Sequence, residues 1–145
     1  SVPACRNRTS AHARTSARGP TCRPGNEFGE DAKAGAFVEM KKAHIGNGTK
    51  VPHLSYVGDA QLGDHTNIGG GTITANYDGV HKNSTTIGSG CHVGAGNLFV
   101  APVEVGNNVT TGAGSVVRHA VPSDTMVYSE NTQHNVEGWK PAWER

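Results

Sequence analysis

The residues of this sequence that are best suited to take part in a reaction are one histidine and a glycine triplet centred seventeen positions further on. The histidine is His53, and Gly70 is the middle of the triplet Gly69-Gly70-Gly71. A neutral imidazole accepts a proton readily near pH 7, and consecutive glycines let a ligand approach the backbone closely. The pair predicts a site where a bound nucleophile gives up a proton. Since the chain has eight histidines, an inert surface histidine is the alternative.

Several lysines and asparagines could complete such a site. Lysine ammonium groups bind phosphate as point charges, and the candidates are Lys41, Lys42 and Lys82. Asn67 and Asn76 could orient hydroxyl groups or simply cap turns. Each lysine taken alone could equally belong to a solvated face. The glycine triplet is only a weak signal for a phosphate loop, because no strand-to-helix transition follows it.

An internal repeat must position these residues. A mostly apolar position recurs about every six residues, and the residue after it is glycine in eight of eleven cases. The fourth position after it is mostly small or β-branched, as at Thr49, Ser55 and Cys91. Fixed short periods of this kind are typical of solenoids. The repeated positions, of which one is polar, are Ile45, Val51, Val57, Leu62, Ile68, Ile87, Val93, Phe99, Val105, Thr111 and Val117.

A period of six fits neither an amphipathic helix nor a hairpin sheet. It fits a short strand and a sharp corner, so that three strands close one triangular coil of about eighteen residues. One side chain per strand then points to the axis, and glycine near the corner tolerates backbone angles that other residues resist. Eleven strands make between three and four coils, about 15–20 Å in length at ~4.8 Å per coil. The sequence therefore predicts an all-β, single-stranded parallel β-helix.

This coil model predicts which side chains face outward. Val51 and Ser55 fit inward positions, which leaves His53 and Tyr56 outside. The next coil lies seventeen residues on, so His53 is predicted beside Gly70, and Lys50 beside Asn67. An interruption of the rhythm predicts a protruding loop over residues 74–86, and the pattern stops after Val117. We expect a β-helix domain over residues 23–120 and a C-terminal tail, 121–145, strapped onto the coils or a neighbour.

Composition and charge exclude several classes of protein. Thirteen Lys+Arg and twelve Asp+Glu give a net charge of +1, so bulk attraction to nucleic acid or to an anionic membrane is not expected. No apolar run approaches the ~18 residues of a membrane span. Three cysteines without CxxC spacing argue against a disulfide framework or a cysteine zinc site and fit a reducing compartment. We expect a cytoplasmic protein.

The first 22 residues differ from the rest of the chain. Up to Cys22 there is no Leu, Ile, Phe, Tyr or Trp, and residues 1–25 carry five arginines and no acid. Such a segment cannot bury much surface and is expected to be disordered. An organelle transit peptide is an alternative that lacks the amphipathic period. A third hypothesis is that residues 1–22 are out of frame.

Three stretches of the sequence resemble a known family. They read GAFVEMKKAHIG, VPHLSYVGDAQLGDHTNIGGGTITANYDGVHK and APVEVG…TGAGSVV. They are similar to the C-terminal glucosamine-1-phosphate N-acetyltransferase domain of the bifunctional bacterial enzymes that make UDP-N-acetylglucosamine. The resemblance covers about Arg23 to Trp139. It implies a left-handed β-helix that works as a homotrimer, while the uridylyltransferase domain of that family has no counterpart here.

The resemblance also assigns roles to particular residues. It makes His53 the catalytic base, and the implied acetyl group comes from acetyl-CoA, with no metal needed. The implied contacts to the sugar phosphate are Arg23, Lys41, Tyr56, Asn67 and Lys82. The implied contacts to acetyl-CoA are Gly70, Asn76, Tyr77, Ala95 and Ala113.

Several positions depart from the family pattern. Gly70 replaces an alanine and Ala95 a serine, changes that backbone contacts should tolerate. Glu130 stands where the family often has an arginine, and a carboxylate there should repel the phosphates of the cofactor. At the N-terminal boundary, the family pattern Gly-Pro-(aromatic)-Thr-Tyr-Leu-Arg becomes Gly19-Pro20-Thr21-Cys22-Arg23. The genetic code allows codons for Gly19–Cys22 that, read in a frame one base earlier, encode Trp-Thr-Tyr-Leu. This supports the hypothesis that residues 1–22 are out of frame.

The implied reaction is acetyl transfer to the amine of glucosamine 1-phosphate, a step in UDP-N-acetylglucosamine and hence peptidoglycan synthesis. Backbone N–H groups near Gly70 are candidates to stabilise the oxyanion. Three alternatives stay open: another hexapeptide acyltransferase with a different acceptor, an inactive or scaffold β-helix fragment, and a β-helix carbonic anhydrase with zinc on three histidines. Candidate ligands for that zinc, His53, His81 and His92, have no clear ligand spacing.

Overall fold

The chain winds into an all-β parallel solenoid. A computed structural model describes residues 19–144. A single turn of 3-10 helix, Ala142–Glu144, follows the strands. The strands are β1 (Thr21–Cys22), β2 (Glu27–Phe28), β3 (Lys33–Ala36), β4 (Glu39–Ile45), β5 (Lys50–His53), β6 (Tyr56–Leu62), β7 (Asn67–Ile68), β8 (Ile73–Ala75), β9 (Thr85–Ile87), β10 (His92–Val93), β11 (Leu98–Val100), β12 (Val103–Val105), β13 (Thr110–Thr111), β14 (Val116–Val117) and β15 (Met126–Val127).

The strands stack on three faces of a prism. Face 1 has the order β1-β4-β6-β8-β11-β14, and face 3 has the order β15-β13-β10-β7-β5-β3. The long strands β4 and β6 turn a corner, so their second halves continue onto face 2, where β2, β9 and β12 complete the stack. Every pairing between these strands is parallel, as in Glu39↔Tyr56 and Tyr56↔Ile73, seventeen residues apart. Each stack is six strands deep on faces 1 and 3.

The predicted inward positions form the core. All eleven repeated positions are buried, from Val51 and Phe99 at 0 % exposure to Leu62 at 5 %. Thr111, the polar exception, is also buried, and its hydroxyl accepts a hydrogen bond from the Gly94 N–H at 3.0 Å. Because each position stacks on its equivalent one coil away, a narrow axis is filled by one medium-sized side chain per strand. This confirms the β-helix predicted from the period.

The small residues of the repeat form a second internal stack. The Thr49 hydroxyl donates to the carbonyl of Gly63 and accepts from the Thr66 N–H. Thr66 repeats this pattern with Gly88 and Cys91, and the Cys91 thiol continues it toward the carbonyl of Gly106. The buried hydroxyls thus satisfy backbone groups at the corners that strand pairing leaves over. Cys91 is a core residue, as its position predicts.

The glycines that follow the apolar positions have a different role from the one predicted. They were expected to supply unusual backbone angles, but Gly46, Gly63 and Gly88 do not have positive φ. A Cβ on Gly63 would lie 2.5 Å from the backbone nitrogen of Ser89, and similar clashes with the next coil arise at Gly46 and Gly88. These glycines are required because successive coils approach too closely there for a side chain.

Positive φ values occur instead at the three corners. Lys42 and Asp59, seventeen residues apart, have φ of 48° and turn β4 and β6 from face 1 onto face 2. Phe37 and Leu54 occupy a second corner with φ of 56° and 46°. Their side chains point out, with 58 % and 64 % exposure. Non-glycine residues rarely adopt this conformation, so the coil itself must impose it.

The boundaries of the solenoid differ from those predicted. Thr21–Cys22 pairs with β4, and Met126–Val127 pairs with β13, so the coils extend on both sides of residues 23–120 and number about six rather than three to four. Both ends keep the backbone pairing, and their inward side chains Phe28 and Val127 are partly buried against the core. Cys22 is disulfide-bonded, which the odd cysteine count did not predict. The remainder of the 1–22 prediction lies outside the described residues.

The protruding loop is shorter than predicted. Strand β8 continues to Ala75 and β9 begins at Thr85, which leaves residues 76–84 outside the coils rather than 74–86. Thr74 and Thr85 are buried although they are polar. The apolar repeat in the sequence therefore does not mark these two inward positions. In the tail, the side chains of Trp139 and Trp143 are 62 % and 84 % exposed.

We predict that Gly63→Ala lowers the free energy of unfolding by about 1–3 kcal/mol, because the added methyl group collides with the backbone of Ser89. Chemical denaturation measures the change. Gly70→Ala is the matched control, since its Cβ would make only an ordinary 3.5 Å contact with the Cβ of His53. Equal stability of the two variants would contradict the steric role of Gly63.

Candidate active site

A column of small residues runs along one corner beside His53. The registers Ile68↔Val93 and Val93↔Thr111 place Gly70, Ala95 and Ala113 at equivalent positions of successive coils. His53 lies at the foot of this column, where a Cβ on Gly70 would be 3.5 Å from the Cβ of His53. His53, Ala95 and Ala113 are exposed. A narrow molecule lying along the column could therefore reach the imidazole without meeting a large side chain.

The backbone of this column is held by bonds between coils. The Gly96 N–H donates to the carbonyl of Gly70 at 2.8 Å, and the Gly114 N–H donates to the carbonyl of Ala95 at 2.8 Å. The same hydrogen bond thus occurs at the equivalent position of each of these coils. The column is thus a rigid surface, and three of the five predicted cofactor residues are brought together on it.

A tyrosine lies on face 1, three residues after His53. A Cβ on Gly58 would lie 2.6–2.7 Å from ring atoms of Tyr56, so the ring crosses the space that Gly58 leaves open. Gly58 pairs in register with Lys41 of the preceding coil. This arrangement brings Tyr56 and Lys41 to the same face, one coil apart.

The hydroxyl of Tyr56 belongs to a hydrogen-bonded chain. Asn76 Nδ2 donates to Tyr56 Oη at 3.3 Å and to Asp59 Oδ2 at 2.6 Å. Asn76 is 7 % exposed, and Asp59 is half-buried. A residue predicted to contact the sugar phosphate and a residue predicted to contact acetyl-CoA therefore touch each other directly.

Arg23 forms an ion pair at the start of the stack. Its Nε lies 2.5 Å from Oε1 of Glu39, whose strand pairs with β1. Both side chains are largely exposed, at 54 % and 38 %. Such a pair contributes little to stability, but it holds the guanidinium on face 1, on the same side as Lys41 and Tyr56.

The loop 76–84 folds around one carboxylate. Asp78 Oδ1 accepts from the Val80 and His81 N–H groups at 2.8 and 2.6 Å, and Oδ2 accepts from Asn83 Nδ2 at 3.1 Å. These bonds, that of His81 first, hold the pKa of the Asp78 carboxyl below its ordinary value of 3.8. The loop is therefore an ordered turn rather than a free segment.

This turn pairs two of the predicted site residues. Tyr77 and Lys82 form an antiparallel bridge, and the Lys82 ammonium lies 4.4 Å from the centre of the Tyr77 ring. Both side chains are exposed. Within residues 19–144 of a single chain, no hydrogen bond or ion pair joins Lys82 to Arg23 or Lys41. Asn67 likewise lies on face 3, paired with Lys50 and His92, rather than among the face 1 residues.

Sequence reasoning missed Glu39, Gly58, Asp59 and Asp78. Asp59 and Asn76 are seventeen residues apart, the same spacing that placed His53 beside Gly70, so this signal was present. The described residues contain no cluster of three His, Cys, Asp or Glu side chains that could hold a metal ion. Two surface depressions share Thr86, Glu104 and Ala120 on and beside face 2, and no predicted site residue lines them.

Comparison with known proteins agrees with this geometry. Residues 84–119 match the family model "Bacterial transferase hexapeptide (six repeats)". The chain is 98 % identical to the bifunctional protein GlmU of Bifidobacterium longum over 123 residues, which are 85 % of this chain. It is 55 % identical to GlmU of Mycobacterium avium over 117 residues, or 81 % of this chain. The chain is similar to both GlmU proteins over more than four fifths of its own length. The matches span only 27 % and 24 % of the two GlmU proteins.

Solved structures share the fold of this chain. The acetyltransferase domain of PglB from Neisseria gonorrhoeae, in complex with acetyl coenzyme A, superposes with a TM-score of 0.67 at 23 % identity, covering 74 % of this chain and 50 % of that one. A mutant perosamine N-acetyltransferase from Caulobacter crescentus, in complex with CoA and GDP-perosamine, superposes at 0.65 with 20 % identity, covering 74 % and 49 %. Within residues 19–144, no helix has the length and hydropathy of a membrane span.

We predict that the order of the loop 76–84 depends on the charge of Asp78. A carboxyl with a lowered pKa stabilises the loop above its ordinary pKa, and this contribution is lost as the pH falls through the lowered value. Amide exchange of His81 should therefore lose protection below about pH 4. Asp78→Ala should remove the protection at every pH.

Proposed function

We propose that this chain is the acetyltransferase part of a GlmU enzyme and moves the acetyl group of acetyl-CoA to the amine of glucosamine 1-phosphate. The observation that carries the proposal is the position of His53 at the foot of the column Gly70, Ala95 and Ala113. The near-identity to GlmU of Bifidobacterium longum supports it, and so does the shared fold of enzymes solved with acetyl coenzyme A or CoA.

The small-residue column would bind the acetyl-CoA. Its pantetheine arm is a narrow chain, and a rigid surface of glycine and alanine lets such a chain lie close to the backbone. The thioester would then rest beside His53. Asn76 and Tyr77, at the base of the loop, would contact the cofactor from face 1. We propose no metal for this step.

The sugar phosphate would bind on the cationic side of face 1. Arg23 and Lys41 would bind the phosphate, and Tyr56 would orient the ring with Asn67. Arg23 already lies 2.5 Å from Glu39, so a phosphate would share the guanidinium with that carboxylate. Lys82 lies on the loop, with its ammonium 4.4 Å from the centre of the Tyr77 ring, and in this proposal it contacts the substrate bound to a neighbouring subunit.

The chemical step is an addition and elimination at the thioester carbon. The nitrogen lone pair of glucosamine 1-phosphate forms the new C–N bond, and the imidazole of His53 takes a proton from that nitrogen. Collapse of the tetrahedral intermediate breaks the C–S bond, and the thiolate of CoA leaves and takes up a proton. Backbone N–H groups near Gly70 would stabilise the oxyanion. Holding two substrates on one rigid coil would supply much of the rate enhancement.

Assembly as a homotrimer is part of the proposal. Phe37, Leu54 and Ile73 are 58 %, 64 % and 47 % exposed along adjoining edges of faces 3 and 1. His53, Tyr77 and Lys82 are also exposed. Contact with neighbouring subunits would cover this apolar edge and close the open side of the site. A monomer would then lack part of the site.

Two other functions remain distinct from this one. A hexapeptide acyltransferase with another acceptor would keep His53 and the column but release thiol with glucosamine 6-phosphate, serine or an aminoglycoside instead. A scaffold fragment would bind no acetyl-CoA. The exposed carboxylate of Glu130, next to an asparagine that bonds to Gly114, is the observation that favours this second candidate.

The surrounding biology follows from the same assignment. We propose that the product enters UDP-N-acetylglucosamine and peptidoglycan synthesis in the cytoplasm. We further propose that residues 1–22 derive from a shifted reading frame. The match at 98 % identity covers 123 of 145 residues and leaves 22 unmatched, the length of that segment.

We predict that His53→Ala lowers kcat for thiol release from acetyl-CoA, with glucosamine 1-phosphate as acceptor, by roughly 10²–10⁴-fold, because the general base is lost. The matched control is His119→Ala, another exposed histidine, which should leave the rate unchanged. Calorimetry should show that acetyl-CoA still binds to the His53 variant. Equal rates for the wild type and His53→Ala would remove this residue from catalysis.

We also predict that Glu130→Arg tightens the binding of acetyl-CoA by roughly three- to tenfold, because a repulsive charge becomes an attractive one at an exposed position. Glu130→Gln, which removes only the repulsion, should fall between the two. The gain should shrink as salt is added. Identical dissociation constants for all three proteins in low salt would place Glu130 outside the reach of the cofactor phosphates.

A further inference from the structure

We infer that Asp59 is a positioning residue, which acts through Asn76 to make the Tyr56 hydroxyl a hydrogen-bond donor toward the anionic sugar substrate. This inference rests on the proposed function and deepens it. Nothing in the sequence repeat requires an acid at this corner. The structure places its carboxylate 2.6 Å from Asn76 Nδ2, the shortest side-chain contact that Asn76 makes.

The carboxylate decides which way the amide of Asn76 faces. The oxygen and nitrogen of an asparagine side chain are distinguished by their partners. A carboxylate of ordinary charge only accepts hydrogen bonds, so the NH₂ group must face Asp59. The same nitrogen lies 3.3 Å from Tyr56 Oη. Both amide hydrogens are then used, one on each partner.

The direction of the chain follows from that orientation. Because Tyr56 Oη accepts a hydrogen from Asn76, its own hydrogen is directed elsewhere. A phenol that accepts on one side and donates on the other is polarised along the chain, which strengthens the bond it donates. The best acceptor for such a donor is an anionic or hydroxyl oxygen. Tyr56 is thus prepared to bind the phosphate or a ring hydroxyl of the substrate.

The backbone holds both ends of this chain in place. Asp59 sits in the left-handed corner that turns β6, with φ of 48°. Asn76 follows β8 directly and is 7 % exposed. The Gly58 N–H, between Tyr56 and Asp59, donates to the buried hydroxyl of Thr74 at 2.8 Å. The three side chains are therefore held by two adjoining coils, and a loss at Asp59 would release only the amide.

The left-handed backbone conformation of Asp59 determines which substitutions can test its side chain alone. Glycine and asparagine both tolerate a left-handed φ. Asp59→Gly therefore removes the acceptor without straining the backbone, while Asp59→Asn keeps an acceptor oxygen without the charge. Asp31→Gly is the matched control, because Asp31 is an exposed aspartate with φ of 57° at a different corner. Tyr56→Phe removes the hydroxyl at the end of the chain.

The experiment measures KM and kcat for glucosamine 1-phosphate and the dissociation constants of both substrates by calorimetry. We expect Asp59→Gly to raise KM for the sugar phosphate on the order of tenfold, with kcat changed much less. Asp59→Asn should recover part of the loss, and Asp31→Gly should match the wild type. In the Tyr56→Phe background, Asp59→Gly should cost almost nothing more, because Asp59 acts through that hydroxyl.

A spectroscopic readout separates the two possible failures. The side-chain NH₂ resonances of Asn76, followed by ¹⁵N NMR in the free protein, should shift and exchange faster in Asp59→Gly but not in Asp31→Gly. Unchanged Asn76 resonances, or additive effects of Asp59→Gly and Tyr56→Phe on KM, would overturn the positioning role alone. A wild-type protein that binds no glucosamine 1-phosphate would overturn the proposed function, and the substrate role of Asp59 with it.

Discussion

The close approach of successive coils is the constraint on which the rest of this structure depends. Parallel strands in adjacent coils lie about 4.8 Å apart, and at the corners the backbones come closer than a side chain permits. This is why Gly46, Gly63 and Gly88 cannot carry a Cβ. The same closeness lets the hydroxyls of Thr49 and Thr66 bridge from one coil to the next. One distance therefore explains both the glycines and the small polar residues of the repeat.

Stacking at a fixed spacing also creates the site. A residue on one coil lies next to its equivalent one coil away. A site on this fold therefore combines residues of neighbouring coils rather than residues that are adjacent in sequence. The column of Gly70, Ala95 and Ala113 and the hydrogen-bonded pair of Asp59 and Asn76 both join residues that are distant in sequence. Neither requires a cavity in the usual sense. On a flat, rigid side of the prism, a ligand could contact the backbone of one strand and the side chains of the next.

Much of this could be predicted from the sequence, because the inward positions obey a strict period. His53 beside Gly70 and Lys50 beside Asn67 both followed from the spacing of seventeen. The end coils were not predicted, because their inward side chains, as at Phe28 and Val127, are only partly buried and because pairing with the next coil fixes the strands there. The bounds of the loop were obscured by Thr74 and Thr85, polar residues in inward positions.

The loop 76–84 leaves the stack and returns to it without disturbing the register. Ile73 pairs with Leu98, and Thr85 with Val103, as though nothing lay between β8 and β9. The internal hydrogen bonds of the loop centre on Asp78, so the loop is ordered by its own residues. An insertion at a corner of a solenoid is therefore modular. Evolution could exchange such a segment for another while the coils that carry Gly70, Ala95 and Ala113 stay the same.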